Sequence, residues 1–359
     1  MENKLHFHYD FEPRAILEAP DAARRMDLMW AAGVRTVWLD CYTYGTWLAT
    51  KDEIQRAKAM LEKYGFEVQA LTVPVGHGGG ALLGDGGDPG LPRTWQNRIN
   101  AQGQSVALAS CIRNEAMLQE SREVAEQLYD LGFTKLFYDD DLRVGPWGPA
   151  LQGCCCERCM QAFYQTYPQY AHMTAPEIFA AANEGDDLWN AWSDVQCDAV
   201  LHFLERTVPD GMTPGIMIMH NGDARHGVDV ARIKARFPNA LFRVGEGHFE
   251  DASFTHPLGH ASICRSVCAH LHAIGSVQNA YSESTVYPEN ALSPEHLVQK
   301  LELEIACGLR NLFLMSGLFF LNDAYWLSIA QALPALQAMA QDLPIPELSD
   351  TPDPVVWQL

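Results

Sequence analysis

Short apolar segments alternate with helix-patterned segments along nearly the whole chain, and this alternation restricts the fold more than any other feature. Strands are read at Leu5–Asp10, Thr36–Cys41, Phe66–Val75, Lys135–Asp140, Gly215–His220, Ala240–Gly245, Ser276–Tyr281 and Asn311–Gly317. A helical pattern follows each one: Asp21–Ala32, Lys51–Tyr64, Asn114–Leu131, Leu188–Arg206, Val228–Arg236, His256–His272, Pro294–Gly308 and Leu327–Gln341. In the second helix, Ile54, Ala57, Met60 and Leu61 fall on one face. Strands that alternate with helices form a parallel sheet. Eight such units are what closure into a (β/α)8 TIM barrel requires, with an open doubly wound sheet as the alternative. The expected organisation is one catalytic barrel over residues 1–342 and a Pro-rich extended tail over 343–359, without internal repeats.

Two connections are too long to be simple turns. One runs from Gly76 to Ser105, between the third strand and third helix. The other runs from Leu142 to about Asp187, between the fourth strand and fourth helix. Both follow strand C-terminal ends, the barrel face that carries chemistry.

Charge narrows the partners. Lys plus Arg number 25 against 45 Asp plus Glu, a formal charge of −20. Such a surface repels phosphate backbones and anionic bilayers, so neither nucleic acid nor membrane is an expected partner. No apolar run is long enough to span a bilayer, and the first residues lack a signal-peptide pattern. A cytoplasmic protein is expected; homo-oligomerisation stays open.

Gly-Cys-Cys-Cys-Glu-Arg-Cys lies in the second long connection. Cys154-x-Cys156-x2-Cys159 can turn three thiolates toward one point, whereas zinc takes four ligands in a tetrahedron. Cys111, which follows the first long connection, is the candidate fourth ligand, and Cys155 would point away. Four thiolates leave no open position for water, so the expected Zn2+ is structural. Cys41, Cys197, Cys264, Cys268 and Cys307 read as ordinary buried thiols.

Strand four ends in Asp139-Asp140-Asp141, followed by Arg143, which could pair with one of the three. Adjacent carboxylates raise one another's pKa, which suits acid–base chemistry. Alternation along a strand puts Asp139 and Asp141 on one side and Asp140 on the other. Glu283 ends strand seven, on the opposite side of a barrel mouth, with Glu246 as its rival. Two carboxylates facing one sugar are what glycoside hydrolysis needs. Other polar groups at strand ends are His8, Asp10, Asp40, Tyr42, His220, Asn221, Glu246 and His248. Of these, Asp10, Asp40, His220, Asn221, Glu246 and His248, together with Arg143, are candidates for binding sugar hydroxyls. Trp147, Trp95 and Trp326 are candidates for stacking on a sugar face.

Together, Cys111-Ile112-Arg113-Asn114, Asp139-Asp140-Asp141, the Cys154/Cys156/Cys159 cluster, Gln161-Ala162-Phe163 and Trp189-x2-Trp192 resemble glycoside hydrolase family 42, most specifically over residues 95–200. The resemblance implies a barrel with a four-cysteine zinc site and a retaining glycosidase. It puts the acid/base at Asp141, Asp140 where the family has Asn, and the nucleophile at Glu283. Asp141 replaces the family's Glu, and 359 residues leave no room for the family's further domains. The expectation is therefore a barrel-only relative that cleaves a short glycoside or oligosaccharide. Two other readings stand beside it. Asp10, Asp40, Asp140, His220 and Glu246 could hold a divalent metal for sugar isomerisation or aldol cleavage, or the barrel could bind sugar without turnover.

Overall fold

A computed structural model of the chain describes residues 4–75, 94–139, 142, 144, 153–218, 224–317, 319–346 and 348, without the side chains of 107 and 108. Eight parallel strands close into a barrel: β1 (His6–Phe11), β2 (Val34–Thr43), β3 (Glu67–Val73), β4 (Lys135–Tyr138), β5 (Thr213–Ile218), β6 (Leu241–Val244), β7 (Ala280–Tyr281) and β8 (Asn311–Met315). Each pairs with the next, and β1 closes the ring against β8 through His8↔Phe313 and Tyr9↔Leu314. A helix follows every strand: α1 (Ala22–Ala31), α2 (Lys51–Tyr64), α3 (Glu115–Asp130), α4 (Asp187–Thr207), α5 (Val230–Arg236), α6 (Gly259–Ile274), α7 (Pro294–Ala306) and α8 (Asp323–Asp342). The expected TIM barrel is the fold observed.

Local sequence sets the helix starts. Thr50 and Glu53 form a capping box on α2. Asp186 accepts the Trp189 amide at the head of α4, and Ser293 with Pro294 opens α7.

The period of two along each strand sends one set of residues inward. Half-way up the barrel this set is aromatic. Trp38 packs against Phe137 (5.2 Å, 85°) and Phe313 (5.8 Å, 28°), with Tyr281 alongside. Gly215 completes the layer, since a Cβ there would lie 2.5 Å from the Phe137 ring. His8 belongs to this layer and not to the rim where its strand-end position suggested. Its ring lies 4.9 Å from Tyr281, and burial lowers its pKa to about 3, so it is neutral. The other set of strand residues packs against the helices in the main core.

Two further expectations are corrected. Strand seven is only Ala280–Tyr281, because Val277–Asn279 turns as a 3₁₀ helix. Ser276 Oγ bonds Asn279 Oδ1 and Asn279 Nδ2 donates to the Ala240 carbonyl, side-chain bonds that compete with the ladder. Cys264, Cys268 and Cys307 are only partly buried between α6 and α7, unlike Cys41 and Cys197. A hydrogen bond from Cys307 brings the Cys268 thiol down to about 7. Beyond α8, Leu343 and Ile345 pack back on the core, and Arg310 donates to the Leu343 carbonyl. Residues 347 and 349–359 lie outside the described residues.

Candidate active site

The inward layer above the aromatic ring holds Asp10 from β1, Asp40 from β2, Met217 from β5 and Arg243 from β6. Asp139 and Glu283 follow β4 and β7 by one and two residues. The Asp139 amide donates to the Thr72 carbonyl at 2.8 Å, which carries the alternation of Leu136–Tyr138 one residue further and turns Asp139 inward.

Arg243 is the centre of this layer and was missed in the sequence. The available signal was a guanidinium at an interior-facing position of an apolar strand, two residues from inward Leu241. Its side chain is 2% exposed. Nη1 pairs with Asp139, and Nη2 lies 3.4 Å from Glu283 Oε1 and 3.0 Å from Met217 Sδ. One guanidinium therefore bridges the end of β4 to the end of β7, and two carboxylates share its face.

Four carboxyls meet one cation here, and burial sets which of them hold a proton. Asp10 and Asp40 are both buried, and Oδ1 of each has no hydrogen-bond partner. Desolvation pushes both pKa values well above the usual carboxylate range, with repulsion from Asp139 and, for Asp40, from Asp10 adding to it. A buried, unpartnered carboxyl oxygen is costly when ionised, in keeping with the raised pKa values.

Glu283 is held from three directions. Its Oε2 accepts the amides of Glu246 (2.8 Å) and Gly247 (3.2 Å), while its own amide donates to Glu246 Oε1 (2.9 Å). Lys300 of α7, wholly buried, donates to the carbonyls of Gly247 and Glu283, each at 2.8 Å, and lies 3.7 Å from Glu246 Oε2. Glu304 of the same helix accepts from Ser284 Oγ at 2.7 Å. Burial raises the Glu304 pKa well above the ordinary value, with repulsion from Glu246 adding to it. Desolvation likewise raises Glu283, opposed by Arg243 and Lys300, and leaves it at about 7. Glu246 is thus occupied in bracing Glu283 and α7.

The remaining expected residues separate clearly. Asp140, Asp141, Arg143, Trp147, His220 and Asn221 lie outside the described residues. His248 sits half-buried on the connection after β6, its Nδ1 3.0 Å from the Ser253 carbonyl, with burial lowering its pKa. Trp95 and Trp326 are not sugar platforms. Both are buried, Trp95 donating to Glu120 and Trp326 to the Leu321 carbonyl. Tyr42 is buried as well and bonds Glu120. Of the residues read as a divalent-metal set, Asp10, Asp40 and Glu246 are described, and they form no group close enough to hold one ion.

The four cysteines do form such a group. The Sγ atoms of Cys111, Cys154, Cys156 and Cys159 all lie within 4.8 Å of one another, and all four residues are buried. Cys111 Sγ is 3.7 Å from Cys156 and 3.5 Å from Cys159. Neighbouring β3 and β4 bring the two long connections together, as pairing of Leu71 with Phe137 requires. Cys111 ends a hairpin of Asn97–Ile99 and Ser105–Ser110, and Cys156 caps the helix Glu157–Thr166. The Cys155 amide donates to the Ile99 carbonyl at 2.7 Å, and its side chain packs on a second small core around Phe163 and Trp192. A buried set of four soft donors fits zinc.

Replacing Arg243 by Met is expected to destabilise the fold by about 3–5 kcal/mol, because Asp139 and Glu283 lose their counter-charge inside the barrel. Arg243 lowers the Glu283 pKa, so its loss raises that pKa further. Denaturation at pH 5 and pH 8 checks both effects: the loss should be larger at pH 8, where the carboxylates must ionise.

No protein-family model matches the chain, and no curated protein sequence matches it. Solved structures do share its fold. The catalytic domain of beta-amylase from Paenibacillus polymyxa superposes with a TM-score of 0.58 at 14% identity, over 92% of this chain and 98% of that one. The PgaB (BpsB) glycoside hydrolase domain from Bordetella bronchiseptica gives 0.57 at 12%, over 94% and 98%. Beta-galactosidase from the psychrophilic Marinomonas ef1 gives 0.58 at 10%, over 95% of this chain and 62% of that one. At these identities the likeness is one of fold, the closed (β/α)8 barrel.

Proposed function

We propose that the chain is a glycoside hydrolase acting on a short glycoside or oligosaccharide, its barrel related to that of glycoside hydrolase family 42. The observation that carries this reading is Glu283. It is a buried carboxylate fixed by two backbone amides and set beside Arg243, which in turn holds Asp139 of the aspartate triplet. The three superposed proteins, a beta-amylase, a glycoside hydrolase domain and a beta-galactosidase, support a carbohydrate substrate without naming the sugar.

In this reading the ionised Glu283 attacks the anomeric carbon through Oε1, since Oε2 is committed to the Glu246 and Gly247 amides. The glycosidic C–O bond breaks as Asp141, or Asp140, gives its proton to the leaving oxygen. A glycosyl-enzyme ester forms, and the same aspartate then takes a proton from the water that hydrolyses it. A retaining site holds the two carboxyls about 5–5.5 Å apart and an inverting one about 6.5–9.5 Å. Asp10 and Asp40 accept sugar hydroxyls. Glu246, Lys300 and Glu304 are positioning residues. Zinc on Cys111, Cys154, Cys156 and Cys159 ties together the connections on either side of β4. The cluster of soft thiols suits a reducing, cytoplasmic setting.

The test is a panel of aryl glycosides, with kcat/KM followed from pH 4 to 10. A nucleophile must be ionised, and Glu283 titrates at about 7. The rate is expected to climb as pH rises through about 7 and to fall only where the proton donor ionises. A profile that falls as pH rises through 7 would make Glu283 the donor and overturn the assigned roles. No turnover of any glycoside would overturn the reading itself.

A further inference from the structure

Glu304 is wholly buried on α7, and the charge around it does not balance if it is ionised. Lys300 lies one turn earlier on the same face of the helix and is wholly buried too. Its Nζ is 3.7 Å from Glu246 Oε2, and the Glu246 side chain is fully enclosed. Arg243 is taken up by Asp139 and Glu283. Two carboxyls therefore share one buried ammonium. The second carboxylate would stay unpaired, and an unpaired buried charge is relieved by taking up a proton. The charged groups that face Glu304 are Glu246, from the connection after β6, and Lys300, from its own helix; Glu283, after β7, joins Glu246 through its amide.

The hydrogen count places that proton. Ser282 Oγ accepts the Phe313 amide at 2.9 Å and lies 2.6 Å from Ser284 Oγ. Ser284 gives its one proton to Glu304 Oε2 at 2.7 Å, so Ser282 donates to Ser284. Glu304 Oε2 is thus the acceptor oxygen, and Oε1 is left for a proton. Oε1 has no partner, and neither has Glu246 Oε2. The two carboxyl groups are within hydrogen-bonding reach of one another. Lys300 does not fill the gap. Its Nζ donates to the Gly247 and Glu283 carbonyls and is too far from Glu246 Oε2 for a hydrogen bond. One proton on Glu304 Oε1, aimed at Glu246 Oε2, satisfies both oxygens at once. Lys300 pairs with Glu246, so the negative charge belongs there.

We propose that Glu304 keeps its proton and donates it from Oε1 to Glu246 Oε2, so that an acid–carboxylate pair fastens α7 to the segment that carries Glu283. Glu246 Oε1 then holds the Glu283 amide at 2.9 Å, while Glu283 Oε2 holds the Glu246 amide at 2.8 Å. Glu304 acts on the reaction through Glu246 and is a positioning residue. That role rests on the glycosidase reading; the shared proton does not.

The experiment uses the full chain with Glu304→Gln, Glu304→Met and Glu246→Gln. Glutamine at 304 keeps a neutral group with a donor for Glu246 and an acceptor for Ser284, whereas methionine keeps neither. Infrared difference spectra of wild type against Glu304→Gln at pH 7 should show the loss of a protonated-carboxyl band. Loss of a carboxylate band in its place would show Glu304 ionised and overturn the proposal. Glu304→Gln should melt within about 2 °C of wild type, and Glu246→Gln, which removes the charge facing Lys300, well below it. The reverse order would put the proton on Glu246 and overturn the assignment. On the best aryl glycoside, Glu304→Met should lower kcat about tenfold at unchanged KM, with glutamine restoring it to within about twofold. A wild-type kcat in Glu304→Met would overturn the positioning role. Should methionine unfold the chain, the two glutamine variants decide the proton by spectrum and melting. No turnover by the wild type would overturn the hydrolase, and the same two measurements would still decide the pair.

Discussion

Glu283→Gln is expected to lower kcat on the best aryl glycoside on the order of 10³-fold while leaving the protein folded. Glutamine keeps the shape and one acceptor for the Glu246 and Gly247 amides but cannot form an ester with the sugar. Azide separates the two roles a carboxylate could have here. Added to Glu283→Ala, it should restore turnover of an activated aryl glycoside and give the glycosyl azide of inverted anomeric configuration, because azide then enters from the nucleophile's face. A glycosyl azide of retained configuration would place Glu283 on the leaving-group side. Unchanged turnover in Glu283→Gln would remove it from the reaction altogether.

The same substitution has a stability signature of fixed sign. Folding raises the Glu283 pKa from the ordinary glutamate value of 4.5 to about 7, so the folded protein holds this proton more tightly than the unfolded chain. The resulting stabilisation is complete below 4.5 and is lost as pH rises through about 7. Asp10 and Asp40, raised in the same direction, add to the slope. Wild-type Tm should therefore fall between pH 5 and pH 8, and Glu283→Gln should fall less. A wild-type Tm that rises over this interval would show that desolvation does not dominate the mouth.

The barrel was legible because it rests on a local pattern: strand-length apolar runs, capped helices and a count of eight. Boundaries moved where side chains bond their own backbone, as at Ser276–Asn279, an effect that hydropathy does not register. The cysteine group was legible because four soft ligands at short spacing have few other uses and because β3 and β4 are neighbours. The mouth was only partly legible. Parity places Asp10, Asp40 and Asp139 inside, but the partner of Asp139 is Arg243, more than a hundred residues away, and no local pattern links them. Glu246 and Glu283 both end strands, and position across the mouth from the aspartate triplet favoured Glu283, but no local pattern tells that Glu246 braces it. Their division of labour is set by Lys300 on the buried, barrel-facing side of α7, which draws Glu246 toward the helix. Trp95 misled for the converse reason: a tryptophan in a long connection can still be core when its indole finds a partly buried carboxylate.

Cys111→Ser and Cys159→Ser are each expected to abolish binding of one zinc ion per chain and to lower Tm by about 10 °C, the largest loss of stability we anticipate from any single thiol. The reason is topological. Cys111 closes the hairpin after β3, whereas Cys154, Cys156 and Cys159 open the helix that begins the small core of Phe163 and Trp192. The contacts that join these two parts include the Cys155–Ile99 backbone bond and the sulfur cluster itself. Without a metal, thiols packed this closely repel as they ionise. A bound cation turns that repulsion into cohesion. Elemental analysis gives the stoichiometry, and thermal denaturation before and after chelation gives the stability. Cys155→Ser supplies the control, since its side chain lies outside the cluster and its zinc content should stay at one. Activity should fall together with stability, because the tied segment begins where the aspartate triplet ends. Restored zinc should return both. A metal-free protein as stable as the loaded one, or a Cys111→Ser variant that keeps its zinc, would refute the structural role assigned to this group.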